Sequence, residues 1–161
     1  MRTLGIDPGT ATTGFGIVDE NDKKLSLVEY GCIRTSSQLS MSERLEIISK
    51  ELTGIIMRSN PDAIAVEQLF FASNSKTAIK VGEARGVILL TAAQAGMKVA
   101  EYTPLQVKQA LTGYGKADKK QIQYMVKNLL KCPDVPKPDD ASDACAIAIC
   151  HIHSQKLKEL R

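Results

Sequence analysis

The chain has 161 residues and a mass of 17.5 kDa, which suits one domain with a core that needs no disulfides. Its 21 Lys and Arg against 18 Asp and Glu give a net charge of +3, which indicates no particular partner. Such a balance excludes a protein dominated by a strongly acidic or basic segment. We therefore expect a single domain over residues 1–161, too short for a two-lobed ATPase. The four cysteines lack Cys-x-x-Cys spacing, and no apolar run approaches the roughly 20 residues that span a bilayer. These features predict reduced thiols, no membrane contact and a cytoplasmic location.

The first predicted strand, residues 2–7, ends on Asp7, and the chain turns directly after it. Pro8 removes a backbone donor and Gly9 permits a positive φ, so we expect the Asp7 carboxylate at a strand tip. Residues 13–19 can return as an antiparallel partner. Taken alone, this turn could be an ordinary hairpin turn, a metal site, or a loop that cradles a nucleotide phosphate as in the actin and Hsp70 ATPases.

A crossover helix and a buried strand follow. After a third strand over residues 25–34, apolar residues recur at steps of three and four within residues 40–58, which predicts an amphipathic helix. Residues 63–66 are apolar throughout and lead into Glu67, a pattern typical of a strand buried on both faces. Because this strand arrives through a helix, we expect it to pair parallel with the first strand, which would bring Glu67 and Asp7 to the same edge.

The second half of the chain alternates helices with one more strand. We expect a mixed five-stranded sheet flanked by helices, in an α/β fold. The remaining predicted elements are helix 76–95, strand 98–102, helix 104–111, a helix capped by Asp118, and a last helix from Asp139 or Asp140 to about residue 155.

Three acids, Asp139, Asp140 and Asp143, fall near the start of the last predicted helix. Acids at a helix N-terminus favour the macrodipole and cap the helix, a role that suits Asp139. Asp143 precedes an apolar run that predicts a buried helix, and buried helices rarely carry an unpaired acid. Either Asp139 or Asp140 could share a face with Asp143, and periodicity alone does not decide between them.

Convergence of Asp7, Glu67 and this pair would call for a metal ion. At about 4 Å and an effective dielectric constant near 20, each like-charge contact costs on the order of 4 kcal/mol. Oxygen ligands without a matching His or Cys favour Mg²⁺ or Mn²⁺ over Zn²⁺. Two such ions can activate a water and stabilise the leaving oxygen of an in-line displacement, so these residues favour phosphodiester hydrolysis.

Several motifs follow one another through nearly the whole chain. They include Gly5-Ile6-Asp7-Pro8-Gly9-Thr10, Glu67-Gln68-Leu69-Phe70, Ala84-Arg85-Gly86, Tyr102-Thr103-Pro104, Gly113-Tyr114-Gly115-Lys116-Ala117-Asp118-Lys119 and Asp140-Ala141-Ser142-Asp143-Ala144. Together they resemble the RuvC family of bacterial Holliday-junction resolvases. The resemblance implies an RNase H-like fold and a homodimer. It further implies an endonuclease that nicks two strands of like polarity at four-way junction DNA and uses Mg²⁺, with two ions per site and Mn²⁺ able to substitute.

The resemblance also implies which acids act in catalysis. The catalytic metal ligands would be Asp7, Glu67, Asp140 and Asp143, which selects Asp140 over Asp139.

Basic and aromatic residues are assigned in the same way. Lys108 and Lys119 match basic positions close to the scissile phosphate, where a fixed positive charge favours the developing negative charge. Phe70 matches an aromatic wedge that stacks on a base near the junction centre. Lys116 and Lys120 are expected to contact flanking DNA phosphates without reading sequence.

Gly82 and Gly86 give helix 76–95 a small-residue surface at i and i+4. Such glycines cost about 1 kcal/mol each unless a close neighbour compensates. Another helix packed there is the simple explanation, and a helix of a second copy would make these two positions a dimer interface. The resemblance further implies the branch-migration proteins RuvA and RuvB as partners.

Two rival functions share part of this pattern. A non-catalytic junction-binding protein would need no metal ligands, and the intact acids argue against it. Another RNase H-like nuclease, of the YqgF type, finds no support in the loop after Glu67 or in the later lysine motifs.

Overall fold

The computed structural model describes residues 1–68 and 75–159, and this part of the chain forms a five-stranded sheet with helices on both faces. The strands are β1 (Arg2–Asp7), β2 (Thr12–Asn21), β3 (Lys24–Arg34), β4 (Ala63–Glu67) and β5 (Val99–Tyr102). The helices are α1 (Met41–Ser59), α2 (Ser75–Gln94), α3 (Pro104–Thr112), α4 (Lys119–Leu129) and α5 (Asp139–Glu159). Within the described ranges, no helix is both long and apolar enough to cross a membrane.

The sheet has the order β3-β2-β1-β4-β5 and is antiparallel on one side and parallel on the other. β1 pairs antiparallel with β2, and β2 with β3, whereas β4 runs parallel to β1 and β5 parallel to β4. Ile6 lies opposite Val66, so Asp7 and Glu67 end neighbouring strands at one edge. The predicted parallel pairing and the shared edge are confirmed.

Two elements are longer than predicted. β2 extends past residues 13–19, and its hairpin with β3 closes through a local turn at Asp22 and Lys23, whose φ angles are 49° and 65°. α5 continues past residue 155, where Lys156 forms a tertiary ion pair with Glu20 of β2 at 2.6 Å. Local sequence periodicity shows neither the turn nor the ion pair.

Each face of the sheet has its own hydrophobic core. The first core joins β1, β2 and β4 to α1 and α2, and includes Leu4, Ile6, Ile17, Ile48, Leu52 and Ile88. The second core joins the opposite face to α3, α4 and α5, and includes Ala65, Val107, Ile122, Val126, Ile147 and Ile149. α5 is therefore buried over most of its length, as its apolar sequence predicts.

α5 lies directly on the backbone of β1 and β2, and glycines make this approach possible. A Cβ on Gly5 would overlap the carbonyl oxygen of Ala144, and a Cβ on Gly14 would overlap the carbonyl oxygen of Asp140. These two contacts fix where the first turns of α5 cross the sheet. They bring the acids of α5 to the edge where Asp7 ends β1.

Alanine at Gly5 is expected to lower the free energy of unfolding by about 1–3 kcal/mol, because the added Cβ overlaps a buried backbone. The matched control is Gly54→Ala in α1, where nothing lies within 4 Å of the added Cβ. That variant should be more stable than the parent by about 0.5–1 kcal/mol, since alanine loses less backbone entropy in a helix. Urea unfolding measures both, and equal effects at the two positions would contradict the packing described for α5.

Candidate active site

Four carboxylates from distant parts of the sequence approach one another at the edge where β1 and β4 end. We call Asp7, Glu67, Asp140 and Asp143 the acid cluster. Asp7 and Glu67 are the last residues of their strands, and Asp140 and Asp143 lie in the first turns of α5. All four are partly buried.

The carboxylates of the acid cluster oppose one another's ionisation. Burial first, and then the charges of Glu67, Asp143 and Asp140, raise the pKa of Asp7 from an ordinary value of 3.8 to about 8, although the charge of Lys119 acts in the opposite direction. Burial and Asp143 likewise raise the pKa of Glu67 to about 6, against Lys108. At neutral pH the cluster therefore holds fewer charges than it has carboxyl groups.

The donor chemistry of the acid cluster fits a hard divalent cation, although its present arrangement is wider than a metal site. In residues 1–68 and 75–159, no three Asp, Glu, His or Cys side chains are close enough together to bind one ion. The carboxylates are nevertheless close enough for Asp7, Glu67 and Asp143 to have raised pKa values, and carboxylate oxygens are the ligands that hard divalent cations prefer. A divalent cation would reverse the repulsion by drawing the carboxylates together.

Two lysines stand beside the acid cluster. Lys108 of α3 and Lys119 of α4 line a cavity of about 220 Å³ together with Glu67 and Asp143, and we call it the lysine cavity. The Nζ atom of Lys119 lies 3.3 Å from Oδ2 of Asp143 and 3.1 Å from Oδ2 of Asp139. The structure thus brings Lys108 and Lys119 to the acids, as the resemblance implies.

Asp139 contacts α4 beside the acid cluster. It accepts hydrogen bonds from Lys119 and, at 3.0 Å, from Nε2 of Gln123, and the Lys119 contact lowers its pKa. The charges of Asp139 and Asp140 both raise the pKa of Asp143, whereas of these two only Asp140 is among the charges that raise the pKa of Asp7. The two candidate partners left open by helical periodicity therefore differ in their effect on Asp7.

The remaining predicted residues lie apart from the acid cluster. Lys116 and Lys120 are exposed, and Lys120 lines a separate cavity of about 600 Å³ with Tyr114 and Tyr124. Gly86 of α2 is exposed, and an added Cβ there would meet nothing within 4 Å. Gly82, on the same helix, is half-buried. Phe70 lies outside the described residues.

Sequence reasoning missed Arg44 of α1. Its side chain is only 9% exposed, and it lines a cavity of about 380 Å³ that also contacts Asp140. A signal was present in the sequence, because Arg44 is four residues before Ile48 and eight before Leu52, on the apolar face of α1. A cation on the buried stripe of an amphipathic helix marks an unusual position.

Comparison with known proteins gives matches over nearly the whole chain. The family model of crossover junction endodeoxyribonuclease RuvC matches residues 3–151. A crossover junction endodeoxyribonuclease RuvC of Syntrophomonas wolfei is 55% identical over 157 residues, covering 98% of this chain and 91% of that one. Its counterpart from Caldicellulosiruptor saccharolyticus is 57% identical over 155 residues, covering 96% and 93%.

Solved structures match equally well. Thermus thermophilus RuvC in complex with Holliday junction substrate superposes with a TM-score of 0.93 at 37% identity, covering 98% of this chain and 96% of that chain. The yeast mitochondrial Holliday junction resolvase Ydc2 shares the fold, with a TM-score of 0.69 at 15% identity. The predicted fold, RNase H-like with a mixed five-stranded sheet, is confirmed.

Asp7→Asn is expected to stabilise the protein in chelator. As pH rises from about 4 to about 8, the unfolded chain ionises Asp7 while the folded chain keeps it protonated, so this group lowers stability across that range. At pH 8 the free energy of unfolding of the variant should exceed that of the parent by about 1–3 kcal/mol, because a like-charge contact is removed. Urea unfolding from pH 4 to pH 9 measures the difference.

The control is Asp22→Asn, in the hairpin turn at the opposite end of β2. Asp22 is an acid of the same type far from the cluster, so its difference from the parent serves as the baseline. A difference for Asp7→Asn that does not grow with pH relative to this baseline would show that the acid cluster does not destabilise the fold.

Proposed function

Because the chain belongs to the RuvC family of crossover junction endodeoxyribonucleases, we propose that it resolves Holliday junctions by nicking two strands of like polarity with the acid cluster as its active site. The observation that carries the assignment of the site is the burial of Asp7 among three other carboxylates, with its pKa raised to about 8. Clustered carboxylates do not stabilise a fold, so a functional role explains their arrangement better than a structural role does.

Asp7, Glu67, Asp140 and Asp143 would hold Mg²⁺, two ions per site, with Mn²⁺ able to substitute. Bound ions of this kind activate a water and stabilise the leaving oxygen of a phosphodiester. The protein contributes the positions of the ligands: two carboxylates on strand ends that pair within the sheet, and two on a helix packed against that sheet. Rigid elements of this sort limit how far the ligands can move.

Lys108 and Lys119 would act on the phosphate from the lysine cavity. Their charges favour a phosphate group at its mouth, and apolar walls from Val107, Ile122 and Ile147 reduce screening by water. Lys119 pairs with Asp143 and Asp139, and a cation bound by Asp143 would compete for one of these contacts. Asp139 would then keep Lys119 beside the site.

Contacts further from the acids would recognise the shape of the junction. Lys116 and Lys120 are exposed. Lys120 lies in α4, which also carries Lys119, and Lys116 lies just before that helix. Both would contact backbone phosphates of a DNA arm. Phe70 would stack on a base at the junction centre, following the family resemblance in the loop after Glu67.

α2 carries the surface proposed for a homodimer. Ile79 and Leu90 are 66% and 58% exposed, and they lie on the same side of the helix as Gly86. An exposed apolar stripe beside an open glycine fits a helix of a second copy, and two copies would supply the two nicks. RuvA and RuvB are the branch-migration proteins proposed to act with this dimer, in the bacterial cytoplasm.

The proposal is tested with a labelled synthetic four-way junction, with Mg²⁺ or chelator, and with nicks mapped on all four strands. We expect two nicks on strands of like polarity that require Mg²⁺. Asp7→Asn, Glu67→Gln, Asp140→Asn and Asp143→Asn should each lower the nicking rate by at least about 100-fold, because each removes a metal ligand. Their junction affinity in chelator should stay within about threefold of the parent, since binding depends on other contacts.

Asp22→Asn serves again as the control and should nick at the parental rate. Parental nicking by any one of the four acid variants would remove that residue from the active site. Undiminished nicking in chelator would contradict the metal requirement itself.

A further inference from the structure

Arg44 is a buried cation without a carboxylate partner in the described part of the chain. Its side chain is 9% exposed and makes one hydrogen bond there, from Nε to Oγ1 of Thr35 at 2.8 Å. No Asp or Glu in residues 1–68 and 75–159 lies within the 4.0 Å that defines an ion pair. Three arginines that are more exposed than Arg44 do have such partners: Arg2 pairs with Asp19, Arg58 with Glu29 and Arg85 with Glu101.

The undescribed residues between β4 and α2 offer no acidic side chain for Arg44 either. Residues 69–74 read Leu-Phe-Phe-Ala-Ser-Asn and contain no acidic side chain. Burying a guanidinium group without a counter-charge is unfavourable for folding. A ligand with negative charge would compensate for that cost when it binds.

The cavity that Arg44 lines contains cations and hydroxyl groups of the kind that bind phosphate, together with one carboxylate, that of Asp140. We call this space of about 380 Å³ the arginine cavity. Lys80 of α2 lines it with a second cation, and the turn at residues 9–12 contributes Thr10, Thr12 and the backbone between them. A planar guanidinium can donate two parallel hydrogen bonds to a phosphate, and a nearby ammonium group adds charge.

Hydrogen bonds connect the walls of the arginine cavity to one another. Thr35 accepts from Arg44 and donates its own hydroxyl to the carbonyl oxygen of Thr10 at 2.6 Å. Thr10 in turn donates its hydroxyl to the carbonyl oxygen of Lys80 at 2.8 Å. α1, the turn after Asp7 and α2 are thereby held in one arrangement, and such preorganisation lowers the cost of binding.

The arginine cavity adjoins the acid cluster on a different side from the lysine cavity. It contacts Asp140 and the turn after Asp7, whereas the lysine cavity contacts Glu67 and Asp143. The two cavities share no lining residue. A DNA strand with its scissile phosphate at the acids could therefore extend a neighbouring phosphate toward Arg44.

We propose that Arg44, assisted by Lys80, binds a phosphate of the cleaved strand adjacent to the scissile phosphate. This inference rests on the proposed junction cleavage and adds a strand-positioning site to it. Arg44 touches neither the water nor the bond that breaks. Its contact would hold the strand in register over the acid cluster.

Arg44→Met removes the charge at similar volume and separates a binding role from a structural one. With a binding role, the melting temperature should stay the same or rise, because an unpaired buried charge is lost. In chelator, junction affinity at 0.1 M salt should fall about five- to tenfold. The slope of log affinity against log salt should shrink by about one, the value for one lost phosphate contact. Arg44→Lys should keep most of the slope, and Lys50→Met, an exposed cation of the same helix, should match the parent.

A scan with single methylphosphonate linkages identifies the phosphate. Each neutral linkage along the cleaved strand removes one charge, and the parent protein should lose affinity at a position next to the nick. The affinity of Arg44→Met should be unaffected by a neutral linkage at that one position. At every other position, a neutral linkage should lower its affinity as much as it lowers that of the parent. Should Arg44→Met fold poorly, Lys80→Gln replaces it, with a reduced sensitivity expected at the same linkage.

The possible failures are distinct. If the parent nicks the junction but the variants keep the parental salt slope and the parental scan, the phosphate site is wrong and the nuclease assignment stands. A melting temperature lowered by several degrees with an unchanged slope would make Arg44 structural. If the parent neither binds nor nicks the junction, the nuclease assignment is wrong. The phosphate site is then tested by the same salt titration on a plain duplex. If Arg44 binds a phosphate, the slope of log affinity against log salt should shrink by about one in Arg44→Met.

Discussion

The close packing of α5 on the glycines of β1 and β2 is the contact on which the candidate active site depends. Gly5 and Gly14 allow helix backbone to touch strand backbone, without side chains between them. Because the helix lies so close to the sheet, the acids in its first turns reach the strand tips that carry Asp7 and Glu67. A thicker layer of side chains would leave the same four acids separated, and each would then ionise as an ordinary surface carboxylate.

The same packing makes the acid cluster unfavourable for folding in the absence of a cation. Asp7 and Glu67 have raised pKa values because they are buried next to other carboxylates, and Lys119 near Asp7 and Lys108 near Glu67 relieve this only in part. Arg44 shows the opposite imbalance, a buried cation that forms an ion pair with no carboxylate of residues 1–68 and 75–159. Both groups lie around one edge of the sheet, and a metal-bound phosphodiester strand carries the two kinds of charge that would balance them. The buried carboxylates and the buried Arg44 each lower the stability of the unbound protein. Binding of the metal ions and of the DNA strand would offset this cost, which best explains why these groups are buried.

Much of the fold could be predicted from the sequence because the signals are local. Apolar patterns, together with cap and turn residues, located the described strands and helices, and the crossover helix after β3 predicted the parallel pairing of β4 with β1. Residue periodicity left Asp139 and Asp140 equivalent, and only the family resemblance separated them. Arg44 was overlooked because its partners, Thr35, the turn after Asp7 and α2, come together through tertiary packing. The positions of Lys108 and Lys119 beside the acids likewise depend on how α3 and α4 pack on α5.

The acid cluster carries fewer negative charges than carboxyl groups until a divalent cation binds and displaces its protons. Titration calorimetry of Mg²⁺ at pH 7, repeated in two buffers of different ionisation enthalpy, counts the protons released on binding. Asp7 has a pKa of about 8 and is mostly protonated at this pH, so close to one proton should be released for each site filled. Mg²⁺ binding without proton release, or no Mg²⁺ binding at all, would contradict the account.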